Sequence, residues 1–162
     1  MTDPGGNVVV LPTAARAGRR QPARLEALRV TVGQLDELSD RLQRISPRSD
    51  WPAKAWIIAA TPLRMRLASI RSGLNDLGTM DPLAEPNTVR WMLDLSYARS
   101  RAGQQLDAIM ACLHVLQCTD ASPAERAREA EIFAFSRSEL LTALQEVRHL
   151  IAGRFPAVFG EH

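Results

Sequence analysis

Apolar side chains recur along most of this chain at the three- and four-residue spacing of one face of an α-helix. The first such segment begins at Pro22 or Ala23 and reaches Ile45. Pro22 suits the first turn of a helix because its missing N–H needs no partner there. Ser46-Pro47 ends the segment, because the residue before a proline is pushed out of helical geometry. The pattern therefore predicts a first long helix.

The second apolar segment follows Ser49 and Asp50, either of which suits a helix N-cap, and it ends at Gly78, which suits a C-cap. Pro62 interrupts this segment near its middle. Because proline lacks a backbone N–H, it either kinks one continuous helix or begins a new helix at Thr61-Pro62. The pattern predicts a second helix and leaves both forms open.

Two further helices are predicted in the second half of the chain. The third runs from an N-cap at Asn87 to about Gln117. The fourth begins at Ser122-Pro123-Ala124-Glu125, which has the pattern of a capping box: Ser at the N-cap, Pro in the first turn and Glu three residues on. It continues to about Ala152, and Gly153 ends it.

These segments together predict an all-α protein. Four helices of similar length with mostly short connections favour one antiparallel four-helix bundle of up-down-up-down topology over residues 24–162. The short apolar tail at residues 155–159 is expected to dock back on it, and residues 1–23, rich in Gly, Pro, Ala and Arg, predict a flexible basic arm. The predicted core consists of four apolar seams: Leu25, Leu28, Val32, Leu35, Leu38, Leu42 and Ile45; Leu63, Leu67, Ile70, Leu74 and Leu77; Trp91, Leu95, Ala98, Ala102, Leu106, Ile109, Leu113 and Leu116; and Ala127, Ala130, Ala134, Leu141, Leu144, Val147 and Ile151, with Phe133 and Leu140 flanking the last.

Charge is nearly balanced over the 162 residues, at a net +2, which excludes a chain that binds polyanions over its whole surface. It is distributed unevenly, since residues 1–24 and 51–77 each carry a net +3 and residues 119–162 a net −2. Of the 20 basic residues only Lys54 is a lysine. An arginine bias suits bidentate recognition of phosphate or carboxylate, and it is also typical of a GC-rich bacterial genome. The bias alone does not decide between them.

The sequence predicts a cytoplasmic protein that does not enter a membrane. The apolar run Val8 to Leu11 is too short for a signal peptide, and no run approaches the roughly 18 apolar residues of a membrane span. Cys112 and Cys118 are six residues apart, which places them on different faces of a helix. Two cysteines are too few for a disulfide scaffold, so we expect reduced thiols.

The residues that carry chemistry in other helical proteins do not form a complete site here. Glu146 and His149 share a helical face, but a di-iron bundle needs two such pairs and two further glutamates. His114 lies near Cys112 and Cys118, and three candidate ligands around one helix fall short of a structural zinc site. The apolar residues around His114 also differ from those of a phosphoacceptor histidine. No nucleotide-binding or hydrolase motif is present, so we predict no catalytic residue, metal or cofactor, while an enzyme or metalloprotein with an unrecognised site stays an alternative.

The sequence favours a non-catalytic helical protein that acts by binding another protein, as an adaptor, regulator or assembly factor, or by self-association into a homo-oligomer. The alternative is a nucleic-acid-associated accessory factor, whose contacts with phosphates would weaken as salt rises. An ordinary solvated face with core tryptophans is the competing interpretation of the same residues. The candidate partner-binding residues are the basic residues of the arm and of the second helix with the two nearby tryptophans: Arg16, Arg19, Arg20, Arg64, Arg66, Arg71, Trp51 and Trp56.

Overall fold

The computed structural model describes residues 14–45, 48, 50–78 and 86–160, with side chains from residue 23 onward apart from residues 78, 86 and 87. Within these ranges the protein is helical and contains no β-strand, which confirms the prediction of an all-α fold. The elements, in chain order, are helices α1 (Ala14–Arg44), α2 (Ala53–Gly78), α3 (Pro86–Leu116) and α4 (Pro123–Arg154), followed by a short 3-10 turn at Pro156–Val158.

Helix α1 begins at Ala14, well before the predicted start at Pro22 or Ala23. The residues that precede Pro22 are mostly Ala and Arg, which have high helix propensity, and their propensity extends the helix through the proline. Residues 14–23, assigned to the flexible arm on sequence, therefore belong to α1. Residues 1–13 of the predicted arm lie outside the described residues.

Helix α2 is continuous from Ala53 to Gly78 with Pro62 inside it, so a new helix does not begin at Thr61-Pro62. Pro62 leaves the carbonyl of Ile58 without its usual donor four residues on. The hydroxyl of Thr61 donates to the neighbouring carbonyl of Ile57 at 2.7 Å. Of the two predicted caps, Asp50 is wrong because it lies three residues before the first helical residue, Ala53, and Ser49 lies outside the described residues.

The capping box at the start of α4 is confirmed. The backbone N–H of Glu125 donates to Ser122 Oγ at 3.2 Å, and the backbone N–H of Ser122 donates to Glu125 Oε2 at 2.8 Å. The Glu125 carboxylate accepts from the backbone N–H of Ser122 and also from its hydroxyl, and these two bonds hold the pKa of Glu125 below its usual value. The predicted cap of α3 is wrong, because the helix begins at Pro86 and Asn87 lies in its first turn. Pro86 suits this first position since its missing N–H would have no partner there.

All four helices contribute to one core. The predicted seams of α1, α2 and α3 are buried except at their ends, where Leu25, Ile45 and Trp91 are partly exposed. The predicted α4 seam is only partly right. Phe133 and Leu140, expected to flank the buried face, are 0% exposed because the face is centred on them, whereas three predicted members are half-buried: Ala127, Ala134 and Leu141. The largest fully buried side chains are Trp56, Phe133, Leu35, Leu38, Leu42, Leu63, Leu67, Ile70, Ile109, Leu113, Leu116 and Leu140.

The predicted docking of the C-terminal tail is confirmed. Phe155 packs edge-on against Trp91 with 5.8 Å between the ring centroids, and Val158 is buried in the core. Arg29 Nη2 donates to the carbonyl of Ala157 at 2.9 Å, and the guanidinium of Arg148 lies over the ring of Phe159. The tail therefore covers one end of the core.

Helix contacts join α1 to α2, α2 to α3, α3 to α4, and α4 back to α1, and the α3–α4 contact is the most extensive. Within the described ranges, no Cα atoms approach within 8 Å between α1 and α3 or between α2 and α4. Ion pairs join each neighbouring pair of helices: Glu37 with Arg66, Arg71 with Asp107, Arg101 with Glu139 and Glu146, and Asp36 with Arg148.

Candidate interaction surface

The basic residues predicted on α2 are directed toward neighbouring helices. Arg66 Nη2 lies 2.8 Å from Glu37 Oε1 on α1, and Arg71 pairs with Asp107 on α3. Arg64 is half-buried, and its Nε atom is buried without a hydrogen-bond partner. Acidic groups on adjacent helices thus balance two of the three positive charges, so α2 does not present the basic stripe that its sequence suggests.

The two candidate tryptophans on the N-terminal side of α2 pack on the core. The ring of Trp51 is half-buried and meets that of Trp56 edge-on, with 5.2 Å between centroids. Trp56 is 1% exposed and packs in the same way against Phe133 at 5.3 Å. Because Trp56 is enclosed by core side chains, it is not part of an interaction surface.

The remaining candidates, Arg16, Arg19 and Arg20, lie near the start of α1, and their side chains are outside the described part of the chain. Arg24 is the first arginine of this group whose side chain is described, and it is half-buried and has a partner. The structure therefore brings none of the arm arginines together with those of α2 in a described cluster.

The chemically interesting residues of α3 and α4 are engaged in packing or exposed singly. Glu146 accepts from Arg101 at 3.1 Å, and His114 and His149 are both exposed. Cys112 is a buried free thiol whose pKa rises to about 12, first because of burial and then because of Glu129 beside it, while Cys118 is a free exposed thiol. In the part of the chain that is described, no three His, Cys, Asp or Glu side chains are grouped so that they could hold a metal ion.

Several arginines bind backbone carbonyls at helix ends and connections, a use that the sequence did not suggest. The guanidinium carries five N–H donors, so it can satisfy terminal carbonyls that a helix leaves without partners. Arg99 is one of these arginines. It is half-buried, and its burial lowers the pKa of its guanidinium. The bonds are Arg99 to Leu74, Arg137 to Leu42 and Ile45, Arg126 to Thr119 and Ala121, and Arg29 to Ala157.

One side of α2 is exposed and apolar, and we call it the α2 face. It points away from the core seam of the same helix and consists of the exposed uncharged residues between Ala55 and Ser72. Ile58 is 68% exposed and Met65 78%. The one charged residue exposed in the same interval is Arg71, which pairs with Asp107. The α2 face comprises Ile57, Ile58, Thr61, Pro62, Met65, Ala68 and Ser72.

Other exposed apolar side chains lie among exposed charges, which is ordinary for a protein surface. The longest row of them on α3 consists of Val89, Leu93 and Tyr97 at four-residue spacing. Leu93 and Tyr97 on α3 are 66% and 64% exposed, but Arg90 and Asp94 are exposed beside them, and the guanidinium of Arg101 lies 5.8 Å from the ring centroid of Tyr97. The α2 face differs because the one charge exposed within it is paired with an acidic residue of α3. It is the stronger candidate for an interaction surface.

A groove of about 380 Å³ runs between α1 and α2 along one edge of the α2 face. Its floor is apolar, and its rim on the α1 side is charged, with both signs present. Pro62 belongs both to this groove and to the α2 face, so the two surfaces are continuous. The groove is lined by Glu37, Asp40, Arg41, Arg44, Ile45, Ala59, Pro62 and Leu63.

The sequence contained a signal for the α2 face. The run from Ala55 to Ala60 consists of six consecutive apolar residues. A helix that buries only one side needs three or four apolar positions in two turns, so this run supplies more than the core can use. A helix that is apolar on two sides is expected to be covered on both.

Comparisons with known proteins do not identify a relative. No protein-family model matches this sequence. No curated protein and no solved structure matches it either. Among the helices described, none is both long and apolar enough to cross a membrane.

Proposed function

We propose that this protein is a non-catalytic helical protein that acts by binding another protein through the α2 face. The observation that carries the proposal is an exposed apolar helix surface extending from Ile57 to Ser72, within which the one exposed charge, that of Arg71, is paired with Asp107. Covering Ile58 and Met65 contributes about 1–2 kcal/mol each, since full burial of such a side chain is worth about 1.5–3 kcal/mol and both are largely exposed. The α2 face is therefore suited to an apolar partner surface, such as the apolar side of another helix.

In this proposal the four helices form an antiparallel bundle of up-down-up-down topology. Support comes from two contacts between each pair of neighbouring helices. Of the two residues on the first helix, the one nearer its C-terminal end contacts the residue nearer the N-terminal end of the second helix, as in an antiparallel pair. The contacts are Thr31 near Gly73 and Glu37 with Arg66; Arg99 with Leu74 and Asp107 with Arg71; Thr88 with Arg154 and Arg101 with Glu139; and Asp36 with Arg148 and Leu42 with Arg137. In such a bundle the α2 face is one outer side of the molecule.

The proposed compartment is the cytoplasm. Cys118 is an exposed free thiol, and exposed thiols persist in reducing compartments. The buried thiol of Cys112 is free as well. When intact cells of the native host are labelled with a membrane-impermeant thiol reagent, Cys118 should stay unmodified. Modification of Cys118 would place the protein outside the cytoplasm.

A protein-capture experiment with matched variants tests the function. Tagged wild-type protein, Met65→Glu and Leu93→Glu are expressed in the native host and purified with their associated proteins. Leu93 is the control because it is 66% exposed, close to the exposure of the α2 face residues, but lies on α3. We expect wild type and Leu93→Glu to retain the same stoichiometric protein and Met65→Glu to lose it. Equal capture by all three proteins would contradict binding through the α2 face.

The second candidate function is binding of nucleic acid by the start of α1. Its support is the net +3 of residues 1–24, with Arg16, Arg19 and Arg20 on consecutive turns of the helix. Helix α2 adds little, because Arg66 and Arg71 already pair with acidic residues. If this function is right, replacing the three α1 arginines by Ala should abolish salt-sensitive binding of duplex DNA or RNA, while Arg71→Ala leaves it intact. Binding that survives the triple replacement would reject it.

A further inference from the structure

We propose that the protein bound by the α2 face is a second copy of this chain, with the two α2 helices packed antiparallel across a twofold axis. The inference rests on the proposed function and names its partner. It is drawn from three properties of α2: the spacing of its outer residues, the distribution of large and small side chains among them, and the opposite charges at the two ends of the helix.

The outer side of α2 has the spacing of a coiled-coil seam. Its residues alternate in steps of four and three: Lys54, Ile58, Thr61, Met65, Ala68 and Ser72. The buried side of the same helix has the same alternation: Trp56, Ala60, Leu63, Leu67, Ile70, Leu74 and Leu77. Sustained four-three spacing is the pattern with which two helices pack lengthwise through interlocking side chains. The inner seam already packs on α1 and α3, so the outer seam is suited to one further helix.

Large and small residues on the outer seam are arranged so that an antiparallel copy complements them. With the twofold axis crossing α2 between Met65 and Ala68, Met65 of one copy faces the partner's Ala68, and Thr61 faces the partner's Ser72. Met65, the largest side chain in the middle of the seam, then meets a small one, and Ile58 faces the partner's Asn75. In a parallel pair Met65 would face the partner's Met65 and Ala68 the partner's Ala68, which leaves the helices too close at one layer and too far apart at the next.

Charge favours the same direction. Lys54 lies at the N-terminal end of the outer side and Asp76 near the C-terminal end, and both are exposed. In the antiparallel pair Lys54 lies within one turn of the partner's Asp76 along the helix axis, and this opposite-charge contact occurs twice. A parallel pair would bring Lys54 beside the partner's Lys54, which is unfavourable. The antiparallel contact requires only that the side chains of Lys54 and Asp76 remain at the surface of each chain.

The size of the seam sets the expected strength of the dimer. The uncharged part from Ile58 to Ser72 is roughly 20 Å long at 1.5 Å per residue, and a helix is about 10 Å wide. An interface of this size belongs to the small class, below about 1,200 Å² in total. The expected association is therefore weak, in the micromolar range, and reversible with dilution.

Sedimentation velocity over a hundredfold range of protein concentration tests the proposal. We expect the mass of the wild-type chain to rise from that of the 17.9 kDa monomer toward twice that value, with Met65→Glu weakening association at least tenfold and Leu93→Glu leaving it unchanged. Circular dichroism of each variant checks that it is folded, which the high exposure of Met65 favours. Association that Met65→Glu does not change would place the interface elsewhere and overturn the proposal.

A charge exchange tests the direction of the two helices. Lys54→Glu should weaken the dimer because it places Glu near the partner's Asp76, and the double variant Lys54→Glu with Asp76→Lys should restore it. A double variant as weak as the single one would reject the antiparallel arrangement. A wild-type chain that stays monomeric at every concentration would reject self-association. The proposed function would still stand if Met65→Glu then loses a different protein in the capture experiment.

Discussion

Leu67 and Met65 lie two residues apart on α2 and face opposite sides of the helix. Leu67 is 2% exposed within the core seam, and Met65 is 78% exposed on the α2 face. Replacing Leu67 by Ala removes three buried carbon atoms and leaves a cavity, which lowers the free energy of unfolding by about 2–5 kcal/mol. Replacing Met65 by Ala removes almost no buried surface and introduces a good helix former, so we expect a change within about 0.5 kcal/mol.

Thermal and urea unfolding, followed by the helical circular dichroism signal in dilute protein, measures this difference. For a domain of this size each kcal/mol corresponds to about 2–4 °C, so Leu67→Ala should lower Tm by at least about 4 °C and Met65→Ala should leave it nearly unchanged. A Met65→Ala variant as unstable as Leu67→Ala would show that Met65 is covered within the monomer. The assignment of two separate seams to α2 would then be refuted.

Repeating the measurement at increasing protein concentration connects stability with association. A dimer raises the apparent stability of the folded chain by mass action, so the Tm of wild type should rise with concentration. The Tm of Leu67→Ala should rise similarly, from a lower starting value. Met65→Ala should show a smaller rise, because part of its interface is missing. Identical concentration dependence in all three proteins would argue against the α2 face as the site of association.

Four further predictions concern other parts of the fold. Ser122→Ala should lower the free energy of unfolding by about 1 kcal/mol in urea titrations at neutral pH, because it removes the N-cap of α4. The folded state depresses the pKa of Glu125, so its contribution is present above its unfolded pKa and is lost as pH falls through the folded pKa; the destabilisation by Glu125→Gln should therefore disappear in acid. Arg137→Met should cost about 1–3 kcal/mol in the same titration, since it leaves carbonyls at the end of α1 without a donor, whereas Arg137→Lys should recover part of the loss. A thiol reagent at pH 8 should modify Cys118 rapidly and Cys112 only after denaturation, because burial raises the pKa of Cys112 to about 12; two fast thiols would contradict its burial.

The sequence is a good guide where the determining interactions are local. The capping box of α4 was predictable because Ser122 and Glu125 are three residues apart and bond to each other. The buried seams were predictable because their spacing requires only helical geometry. The start of α1 was missed, since Pro22 is a strong local signal for a helix start, yet the Ala and Arg residues before it favour helix as well.

The candidate surface was harder to predict because it depends on contacts between distant residues. Arg66 and Arg71 appear as free charges in the sequence, and only packing brings Glu37 and Asp107 beside them. The exposure of Met65 follows from the choice of Leu63 and Leu67 as the inner seam, which the sequence supports. The sequence pattern does not say whether another element covers the opposite side of α2. Among the described residues no element does, and this depends on how the helices assemble.

The arginine bonds to helix-end carbonyls have a consequence for how the protein opens. Helix termini ordinarily fray, so their amide hydrogens exchange with solvent much faster than those of the core. Arg99 on α3 holds the last turns of α2, and Arg137 on α4 holds the end of α1. Opening either end therefore requires breaking a contact with another helix. Hydrogen exchange at the C-terminal ends of α1 and α2 should slow toward the rate of global unfolding, so that the helices open together as one cooperative unit.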